Sequence, residues 1–249
     1  MRKTRPHVLV TAGNTREKID SVRWWSNIFT GQTGLDIARA VQAIADVTLL
    51  TSNHEHLREL RATQTDCGIT AKYFESHGDL MTLLSGQLEN RTFAAVFMTA
   101  AVSDYTPDGA YSIISREPAN QPDQEVWIVR KVQKPKISST HQSLALTGKP
   151  TAKIIDQFRS HWNYRGLLFK FKLEAGLTES ELIAVAQASR VHSQADVIVA
   201  NTLEMVHGPE PSALIIDQRS TVKVPRARLA EALRNDLARR LAIFPEDNG

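Results

Sequence analysis

The chain has 249 residues, of which 42% are hydrophobic and 23% charged, and it carries a formal net charge of +3. This length suits one large α/β domain or two small ones, and the apolar content is sufficient for a sizeable core. The apolar runs are too short to span a bilayer, no secretory signal pattern is present, and only 6% of residues are aromatic. We therefore expect a cytoplasmic protein that binds neither membranes nor nucleic acid.

Cysteine and histidine usage restricts the metal and redox chemistry. Cys67 is the only cysteine, which excludes an intrachain disulfide and a thiolate zinc site. A role for Cys67 as a nucleophile is the alternative to simple packing, which is commoner for a lone cysteine. His54-Glu55-His56 precedes a helix and has no further obvious ligand, so we expect no metal site built by the protein.

The first half of the chain alternates apolar runs with amphipathic stretches. His7–Thr11 is an apolar run followed by glycine, the pattern of a buried parallel strand. After Gly34, the apolar residues Ile37, Val41 and Ile44 recur at helical spacing and predict a helix. The alternation then predicts strands at Val47–Leu50 and Ala94–Met98, with helices near Leu57–Thr63 and Leu80–Leu88. A series of this kind implies right-handed crossovers, a parallel sheet and ligands at the carboxyl ends of the strands.

The second half repeats the pattern and ends differently. Thr178 and Glu181 form a capping box that predicts a helix to about His192. The other predicted elements are strands at Gly166–Phe171 and Ala195–Asn201, a hairpin at Ala213–Asp217 and Thr221–Val224, and a last helix striped by Leu229, Leu233, Leu237 and Leu241. Together the halves predict a single α/β domain over residues 1–249, a Rossmann-like three-layer fold with a mostly parallel sheet and a C-terminal hairpin and helix.

One segment, at about residues 106–143, breaks the alternation. It holds four prolines and the run Glu125–Arg130, and we interpret it as a mobile arm or flap with one or two strands. Long inserts in compact domains are usually lids or binding loops.

The loop after the first strand has the composition of a phosphate-binding loop with an unusual spacing. Its glycines are Gly13, Gly31 and Gly34, so the G-x-G-x-x-G fingerprint of dinucleotide-binding proteins is absent. Backbone N–H groups at the start of the following helix remain suited to an anion. The segment between the glycines brings four polar side chains near the same strand end: Arg16, Asp20, Arg23 and Asn27. A local ion pair between Asp20 and Arg23 is the alternative to a ligand site.

Two later loops offer complementary chemistry. Ala100 and Ala101 follow the strand Ala94–Met98 and allow a flat ligand to approach the backbone, while Asp104 is suited to accept hydrogen bonds from hydroxyls. Core packing of the alanines and a turn role for Asp104 are the alternatives. Lys134–Ser139 places two lysines and two hydroxyls on the arm, which suits a lid over phosphates or a solvated surface loop.

Taken together, these loops resemble one family, the phosphopantothenate–cysteine ligases, also called phosphopantothenoylcysteine synthetases. The second loop, Ala100–Tyr105, resembles the family's A-A-V-x-D-[WY], and Lys136–Ser139 resembles the K-I-S-S of its free-standing members. Phe171–Glu174 and Ala195–Asn201 resemble two further blocks. The first loop matches T-x-G-G-T-x-E-x-I-D-x-V-R-x-x-x-N-x-S-x-G-x-x-G at Thr11, Gly13, Thr15, Glu17, Ile19, Asp20, Val22, Arg23, Asn27, Gly31 and Gly34.

The resemblance implies a ligase of coenzyme A biosynthesis that joins 4′-phosphopantothenate to L-cysteine through an acyl-nucleotidylate. CTP or ATP, bound with Mg²⁺, is then the co-substrate and is converted to a nucleoside monophosphate and pyrophosphate. Asn27 and Lys136 are implied as catalytic residues, the former holding the acyl-nucleotidylate and the latter contacting the triphosphate from a closing lid. Substrate binding is implied for Arg23, Asn27 and Asp20, and nucleotide binding for Gly13, Thr15, Gly31, Gly34, Ala100, Ala101, Asp104, Lys136 and Phe171. Family members are homodimers, which makes the arm the candidate dimer element.

Several positions depart from the family pattern. Asn14 stands where the family has a second glycine, and Phe29 and Thr30 replace two small residues. Ser189 and Ser193 lie about where CTP-using bacterial members place two lysines, which leaves both CTP and ATP open. An NAD(P)-binding Rossmann-type oxidoreductase and a non-catalytic nucleotide-binding relative are the alternative functions, although Thr51-Ser52-Asn53 lacks the acidic residue that the former requires.

Overall fold

The computed structural model describes residues 5–62, 68–121 and 123–243. Cys67 lies outside these residues, so its role stays a prediction. The helices are α1 (Gln32–Val41), α2 (His54–Ala62), α3 (His77–Asn90), α4 (Ile154–Ser160), α5 (Glu179–His192), α6 (Leu203–His207) and α7 (Leu229–Ile243), with a 3₁₀ turn at Arg226–Arg228. In the part of the chain thus described, none of these helices is both long and apolar enough to cross a membrane.

A central sheet of eight strands organises the molecule. Its order is β13-β12-β11-β10-β6-β1-β4-β5, and every pair from β11 to β5 is parallel. The C-terminal hairpin adds two antiparallel strands at one edge. The strands are β1 (His7–Ala12), β4 (Asp46–Thr51), β5 (Ile69–Tyr73), β6 (Ala95–Met98), β10 (Leu167–Glu174), β11 (Val197–Thr202), β12 (Ser212–Ile216) and β13 (Thr221–Pro225).

Helices cover both faces of this sheet and confirm the predicted three-layer fold. Alternate side chains of each parallel strand enter opposite cores, as Val8 and Leu9 of β1 do. On one face the strands pack against α1 and α7, including Leu35 and Leu233. On the other they pack against α3 and α4, and further along the sheet against α5. The predicted capping box of α5 is present, with the Thr178 and Glu181 side chains each bonded to the other's backbone N–H.

The chain reverses direction across the sheet between β1 and β6. From β1 it proceeds to β4 and β5 on one side, and it then returns to β6, β10 and β11 on the other. In open α/β sheets, ligands bind in the crevice that such a reversal opens at the carboxyl ends of the strands. The loops after β1 and β6, which carry the predicted motifs, begin at this point.

The remaining strands form two small sheets outside the core. A two-stranded hairpin of β2 (Arg16–Lys18) and β3 (Trp24–Ser26) fills the segment between β1 and α1. The arm is a three-stranded antiparallel sheet in the order β8-β7-β9, made of β7 (Tyr105–Pro118), β8 (Glu125–Lys131) and β9 (Leu144–Pro150). Two strands lie within the predicted arm and the third follows it directly, so this sheet extends to Pro150. The sequence analysis did not predict β2, β3, β5, β9, α4 or α6.

Candidate functional site

The loops after β1 and β6 are joined by backbone hydrogen bonds at the point of chain reversal. The Ala101 N–H donates to the Gly13 carbonyl at 2.9 Å, and the Thr15 N–H donates to the Ala101 carbonyl at 3.2 Å. The Thr15 hydroxyl, wholly buried, accepts from the Ser103 N–H at 2.8 Å. The first two predicted loops therefore form one rigid platform, and Thr15 contributes to it by joining them.

Asn27 lies on this platform. Its side-chain amide donates to the Ala101 carbonyl at 3.2 Å, which leaves its second N–H and its carbonyl oxygen for a ligand. The Asn14 amide donates to the main-chain carbonyl of Asn27, and the Asn14 N–H donates to the Ser52 hydroxyl at 2.8 Å. Asn14, one of the residues that depart from the pattern of the resembled family, thus fixes the backbone that carries Asn27.

The start of α1 approaches β1 too closely for any side chain. Gly31 has φ of +85°, and a Cβ placed there would lie 1.9 Å from the Gly13 nitrogen. At Gly34 a Cβ would lie 2.8 Å from the Thr11 carbonyl oxygen. No side chain caps α1, and the Gly34 N–H donates to the Gly31 carbonyl at 3.0 Å, so the N–H groups of Gln32 and Thr33 are the ones suited to an anion. The 3₁₀ turn before α7 adds a cation beside them, because the Arg226 guanidinium donates to the Thr33 hydroxyl at 2.9 Å.

The lysine loop of the arm is clamped to the β2–β3 hairpin. The Asp20 carboxylate accepts from the Ile137 N–H at 3.1 Å, and the Arg23 guanidinium donates to the Ile137 carbonyl at 2.9 Å. The Ser21 N–H donates to the Pro135 carbonyl at 2.7 Å. Ile137 is fully buried whereas Lys136 beside it is exposed, so the loop is anchored on one side and presents its lysine to solvent.

Asp20 is bonded entirely to protein groups in this arrangement. Besides the Ile137 N–H, it accepts from the N–H groups of Val22 and Arg23, both at 2.9 Å, and lies 3.7 Å from the Arg23 guanidinium. The Val22 hydrogen bond, with those from Ile137 and Arg23 and the charge of Arg23, outweighs burial and lowers the pKa of the Asp20 carboxyl. The local ion pair considered from the sequence therefore exists, and it is part of the clamp.

Two cavities flank the platform, one on each face of the sheet. The cavity that we call the α1–α7 cavity has about 220 Å³ and contains Gly13, Gly31 and Gly34 in its wall, with Asn201 and Arg226. The one that we call the α4–α5 cavity has about 550 Å³ and contains Asn27, Asp104, Lys153, Lys170 and His192. The two share a wall made of Phe29, Ala100, Ala101, Phe171, Lys172 and Leu173.

The structure therefore groups the predicted site residues into three sets in the cavity walls and a fourth outside them. The glycines lie in the α1–α7 cavity, Asn27 and Asp104 lie in the α4–α5 cavity, and Ala100, Ala101 and Phe171 separate the two. Asp20, Arg23, Lys136 and Thr15 lie outside both cavity walls. Asp104 is exposed and its carboxylate bonds to the Lys153 amine at 2.5 Å.

Sequence analysis missed three polar residues in the wall of the α4–α5 cavity. Asp156, Lys170 and His192 come from α4, β10 and α5, and no shared motif links them. Arg226 was missed for the same reason, since it reaches the start of α1 from the far end of the chain. Among the residues that the structure describes, no group of three or more His, Cys, Asp or Glu side chains could hold a metal ion.

Comparisons with known proteins agree with the loop motifs. Residues 4–117 match the family model described as DNA/pantothenate metabolism flavoprotein C-terminal domain. The chain is 29% identical to the coenzyme A biosynthesis bifunctional protein CoaBC of Thermococcus kodakarensis, over 94% of this chain and 51% of that protein. It is 26% identical to CoaBC of Mycolicibacterium smegmatis, over 78% of this chain and 42% of that protein. The chain thus spans about half the length of the curated relatives that it matches.

Solved structures share the fold over almost the whole chain. The DNA/pantothenate metabolism flavoprotein from Streptococcus pneumoniae superimposes with a TM-score of 0.75 at 25% identity, covering 94% of this chain and 99% of that one. A Cab2 variant in complex with phosphopantothenate-cysteine superimposes with a TM-score of 0.65 at 15% identity, covering 96% and 89%. Because the second match is only 15% identical, it shows a shared fold and nothing further.

Proposed function

From the confirmed relationship of the chain to the phosphopantothenate–cysteine ligase family, we propose that it joins 4′-phosphopantothenate to L-cysteine through an acyl-nucleotidylate. A free carboxylate does not acylate an amine at neutral pH, because oxide is a poor leaving group. In the first proposed step the carboxylate oxygen attacks the α-phosphorus of a nucleoside triphosphate, and pyrophosphate leaves. In the second the cysteine amine attacks the acyl carbon, loses a proton, and releases the nucleoside monophosphate.

The observation that carries this proposal is the platform between the two cavities, which holds Asn27 on its α4–α5 side. A ligase of this type must hold two anionic reactants side by side, and two cavities that share a wall containing Ala100, Ala101 and Phe171 suit that task. Asn27 donates only one N–H to the Ala101 carbonyl, so its other polar atoms are free to hold the acyl-nucleotidylate. An amide does this without competing as a nucleophile.

Positive charge around the platform offsets the repulsion between the two reactants. In our proposal phosphate oxygens bind at the start of α1, where Gly31 and Gly34 allow close approach, and Arg226 adds a cation there. Lys136 approaches the triphosphate from the arm and stabilises charge that develops at the α-phosphate. Arg23 and Asp20 contribute by holding the loop of Lys136, and the part of Arg23 that stays exposed is suited to the substrate phosphate or carboxylate.

The proposed role of Mg²⁺ follows from the same anionic chemistry, whereas the nucleotide is assigned from the family resemblance. We propose CTP or ATP as co-substrate, with Asp104 near the ribose hydroxyls and Phe171 near the base. Mg²⁺ is expected to arrive with the nucleotide, whose phosphate oxygens supply ligands, and its chemistry is to neutralise the triphosphate and the departing pyrophosphate.

The arm supports a homodimer as the working form. Strand β8 leaves Val126, Trp127, Ile128 and Val129 between 41% and 52% exposed, so apolar side chains face outward on both sides of the strand. A contiguous exposed apolar surface of this kind marks an interaction site. We propose that two copies of the chain associate through their arms, and light scattering of the purified protein measures this.

Pyrophosphate release tests the proposal directly. We expect release when the protein is mixed with phosphopantothenate, cysteine, Mg²⁺ and either CTP or ATP. Lys136→Gln is expected to abolish turnover, while Asn27→Asp is expected to form the acyl-nucleotide and use it poorly. Lys223→Gln, at an exposed ion pair on the edge hairpin, is the matched control and should keep the original rate. Absence of pyrophosphate with both nucleotides would remove the ligase function, and unchanged rates in both site variants would remove the assigned roles.

A further inference from the structure

A loop to which the proposed reaction gives no role supports the site from behind. We call it the β4 loop; it consists of Ser52 and Asn53 and joins β4 to α2. Hydrogen bonds link it to residues 27–31, which we call the connecting segment because they run from Asn27 to the start of α1. The acyl-nucleotidylate is proposed to bind at one end of this segment, and phosphate oxygens at the other. The β4 loop is therefore linked to both functional ends.

Ser52 supports the Asn27 end through Asn14. The Ser52 hydroxyl accepts from the Asn14 N–H at 2.8 Å and donates to the Asn14 side-chain oxygen at 3.4 Å. The Asn14 amide nitrogen then donates to the main-chain carbonyl of Asn27. Asn14 and Ser52 are only 9% and 1% exposed, so water does not replace these partners. Because both ends of the buried amide are bonded, Ser52 fixes the direction in which Asn14 donates.

Asn53 holds the other end of the segment directly. Its side-chain nitrogen Nδ2 donates to the Thr30 carbonyl at 3.1 Å, while its Oδ1 accepts from the Glu55 N–H at 3.0 Å. These two bonds determine which end of the amide faces which partner. Nδ2 also lies 3.3 Å from the ring nitrogen Nε2 of His56, so its second N–H is donated there.

This arrangement requires His56 to be neutral. Since Nε2 accepts from Asn53, the ring proton lies on Nδ1, which donates to the Thr51 hydroxyl oxygen at 2.9 Å. A proton added at Nε2 would face the N–H of Asn53, and two donors repel. The Asn53 amide could turn away only by giving up its bonds to Glu55 and Thr30. Protonation of His56 therefore releases the Thr30 end.

Burial keeps the imidazole of His56 neutral near pH 7. The side chain is 1% exposed, and desolvation lowers the pKa of His56 below its ordinary value of 6.5. Among the described residues, the charged side chains that act on this pKa are Glu59 on α2, which raises it, and on α1 Arg39, which lowers it, and Asp36, which raises it. On the side of β5, the Tyr73 ring stacks on His54, with 4.3 Å between the ring centroids.

We propose that Ser52, Asn53 and His56 are positioning residues, which hold the connecting segment at both ends through its backbone carbonyls. Ser52 acts on the end where the acyl-nucleotidylate is used, and Asn53 with His56 acts on the end where phosphates bind. The meaning of the two ends rests on the proposed function. The two halves should therefore affect different constants, and acid should weaken the half that contains His56.

Single substitutions separate the two halves. We would measure kcat for pyrophosphate release, and the dissociation constants of CTP and ATP with Mg²⁺ by calorimetry. Ser52→Ala should lower kcat at least about tenfold with little change in nucleotide binding, because displacement of a reacting group by about 1 Å costs on the order of 100-fold. Asn53→Ala should instead weaken nucleotide binding by about tenfold, the scale of one well-placed hydrogen bond. Adding Asn14→Ala to Ser52→Ala should lower kcat little further, since both break one link.

Asn90→Ala is the matched control. The Asn90 side-chain amide also donates to a backbone carbonyl, that of Gly86 at 2.6 Å, but on α3 and outside both cavity walls. Its constants should equal those of the natural chain. Circular dichroism and urea unfolding of each variant verify that it is folded under the assay conditions.

The pH dependence of nucleotide binding tests the part of His56. Nucleotide phosphates titrate in the same range, so the natural chain is compared at each pH with His56→Gln, which keeps an acceptor and does not titrate. As the pH falls from about 7.5 to about 5, through the pKa of His56, the dissociation constant of the natural chain should rise at least about threefold relative to that of the variant. A constant ratio would overturn the role of His56.

The outcomes separate this inference from the proposed function. If pyrophosphate is released but Ser52→Ala and Asn53→Ala keep the constants of the control, or lose stability alone, the positioning roles are refuted and the ligase function stands. If no nucleotide supports release, the ligase function fails, and amide hydrogen exchange over residues 27–33 still decides the inference. Both variants should accelerate exchange there and not in α3, and unaltered exchange would refute the support by the β4 loop.

Discussion

Replacement of Gly31 by alanine tests the close approach on which the phosphate-binding geometry depends. Gly31 has φ of +85°, and its Cβ would lie 1.9 Å from the Gly13 nitrogen and 2.6 Å from the Gly13 Cα. The left-handed conformation costs a non-glycine residue about 1–2 kcal/mol. The overlap is with backbone and cannot be relieved by a side-chain rotation, so displacement of β1 or α1 adds about 1–3 kcal/mol. We therefore expect Gly31→Ala to lower the free energy of unfolding by about 2–5 kcal/mol.

Gly176 provides a matched control for the conformational part of this cost. It has φ of +69°, and a Cβ there meets no atom within 4 Å. Gly176→Ala should therefore cost only about 1 kcal/mol, and it should leave pyrophosphate release unchanged because the loop before α5 lies outside both cavity walls. Gly86→Ala, in the interior of α3 with open space around it, should stabilise the protein by up to about 1 kcal/mol.

The assay is urea unfolding followed by tryptophan fluorescence, together with pyrophosphate release at saturating nucleotide. Gly31→Ala should lose both stability and activity, since the start of α1 moves relative to β1. Surface substitutions usually change the free energy of unfolding by no more than about 0.5 kcal/mol. If the unfolding free energies of Gly31→Ala and Gly176→Ala differ by less than this, β1 and α1 are not packed as closely as described, and the reasoning is refuted.

Two further predictions concern the lysine loop and acid stability. Ile137→Ala should loosen the loop of Lys136, because truncating this fully buried side chain costs about 2–5 kcal/mol. Amide hydrogen exchange over residues 133–139 should then accelerate and kcat/KM should fall, whereas Ile137→Val should behave nearly as the natural chain. Unaltered hydrogen exchange in the alanine variant would contradict the anchoring role. Despite desolvation, hydrogen bonds from the Arg219 N–H and the Arg240 guanidinium lower the pKa of Asp217 from 3.8 to about 2. This lowered pKa contributes stability that is complete above pH 3.8 and disappears as the pH falls through 2, about 1–2 kcal/mol after allowance for solvent screening. The difference in unfolding free energy between the natural chain and Asp217→Asn should shrink as the pH is lowered from 5 to 2, and a constant difference would contradict the assignment.

Much of the fold follows from local sequence patterns. Buried parallel strands such as β1 and β6 are continuous apolar runs, and a capping box marks the start of α5, so both are recognisable without the tertiary structure. The strands β5 and β9 were not predicted, because Ile69–Tyr73 and Leu144–Pro150 are partly exposed and lack a continuous apolar run. Their place is decided by the neighbouring strand that pairs with them.

The residues of the candidate site also divide into those that local sequence predicts and those that only the tertiary structure brings together. The sequence alone showed the family resemblance through loop motifs that include Asn27 and Lys136, because the residue types and their order within each loop are local properties. It did not identify what Asp20 contacts, since the Ile137 N–H that its carboxylate accepts from lies 117 residues further along the chain. Nor did it identify Asp156 and Lys170, which line one cavity although they belong to different elements.

The sequence therefore determined the chemical groups that are available and the elements that carry them, through the period of the apolar residues and the residues that start or end each element. The tertiary structure alone decided which groups meet. It joined Asn14 to Asn27, clamped the lysine loop to the β2–β3 hairpin, and left one carboxylate oxygen of Asp156 without a donor. The physical reason is that hydrogen bonds and burial depend on distances between elements, which are set when the two faces of the sheet are covered and have no counterpart in local sequence.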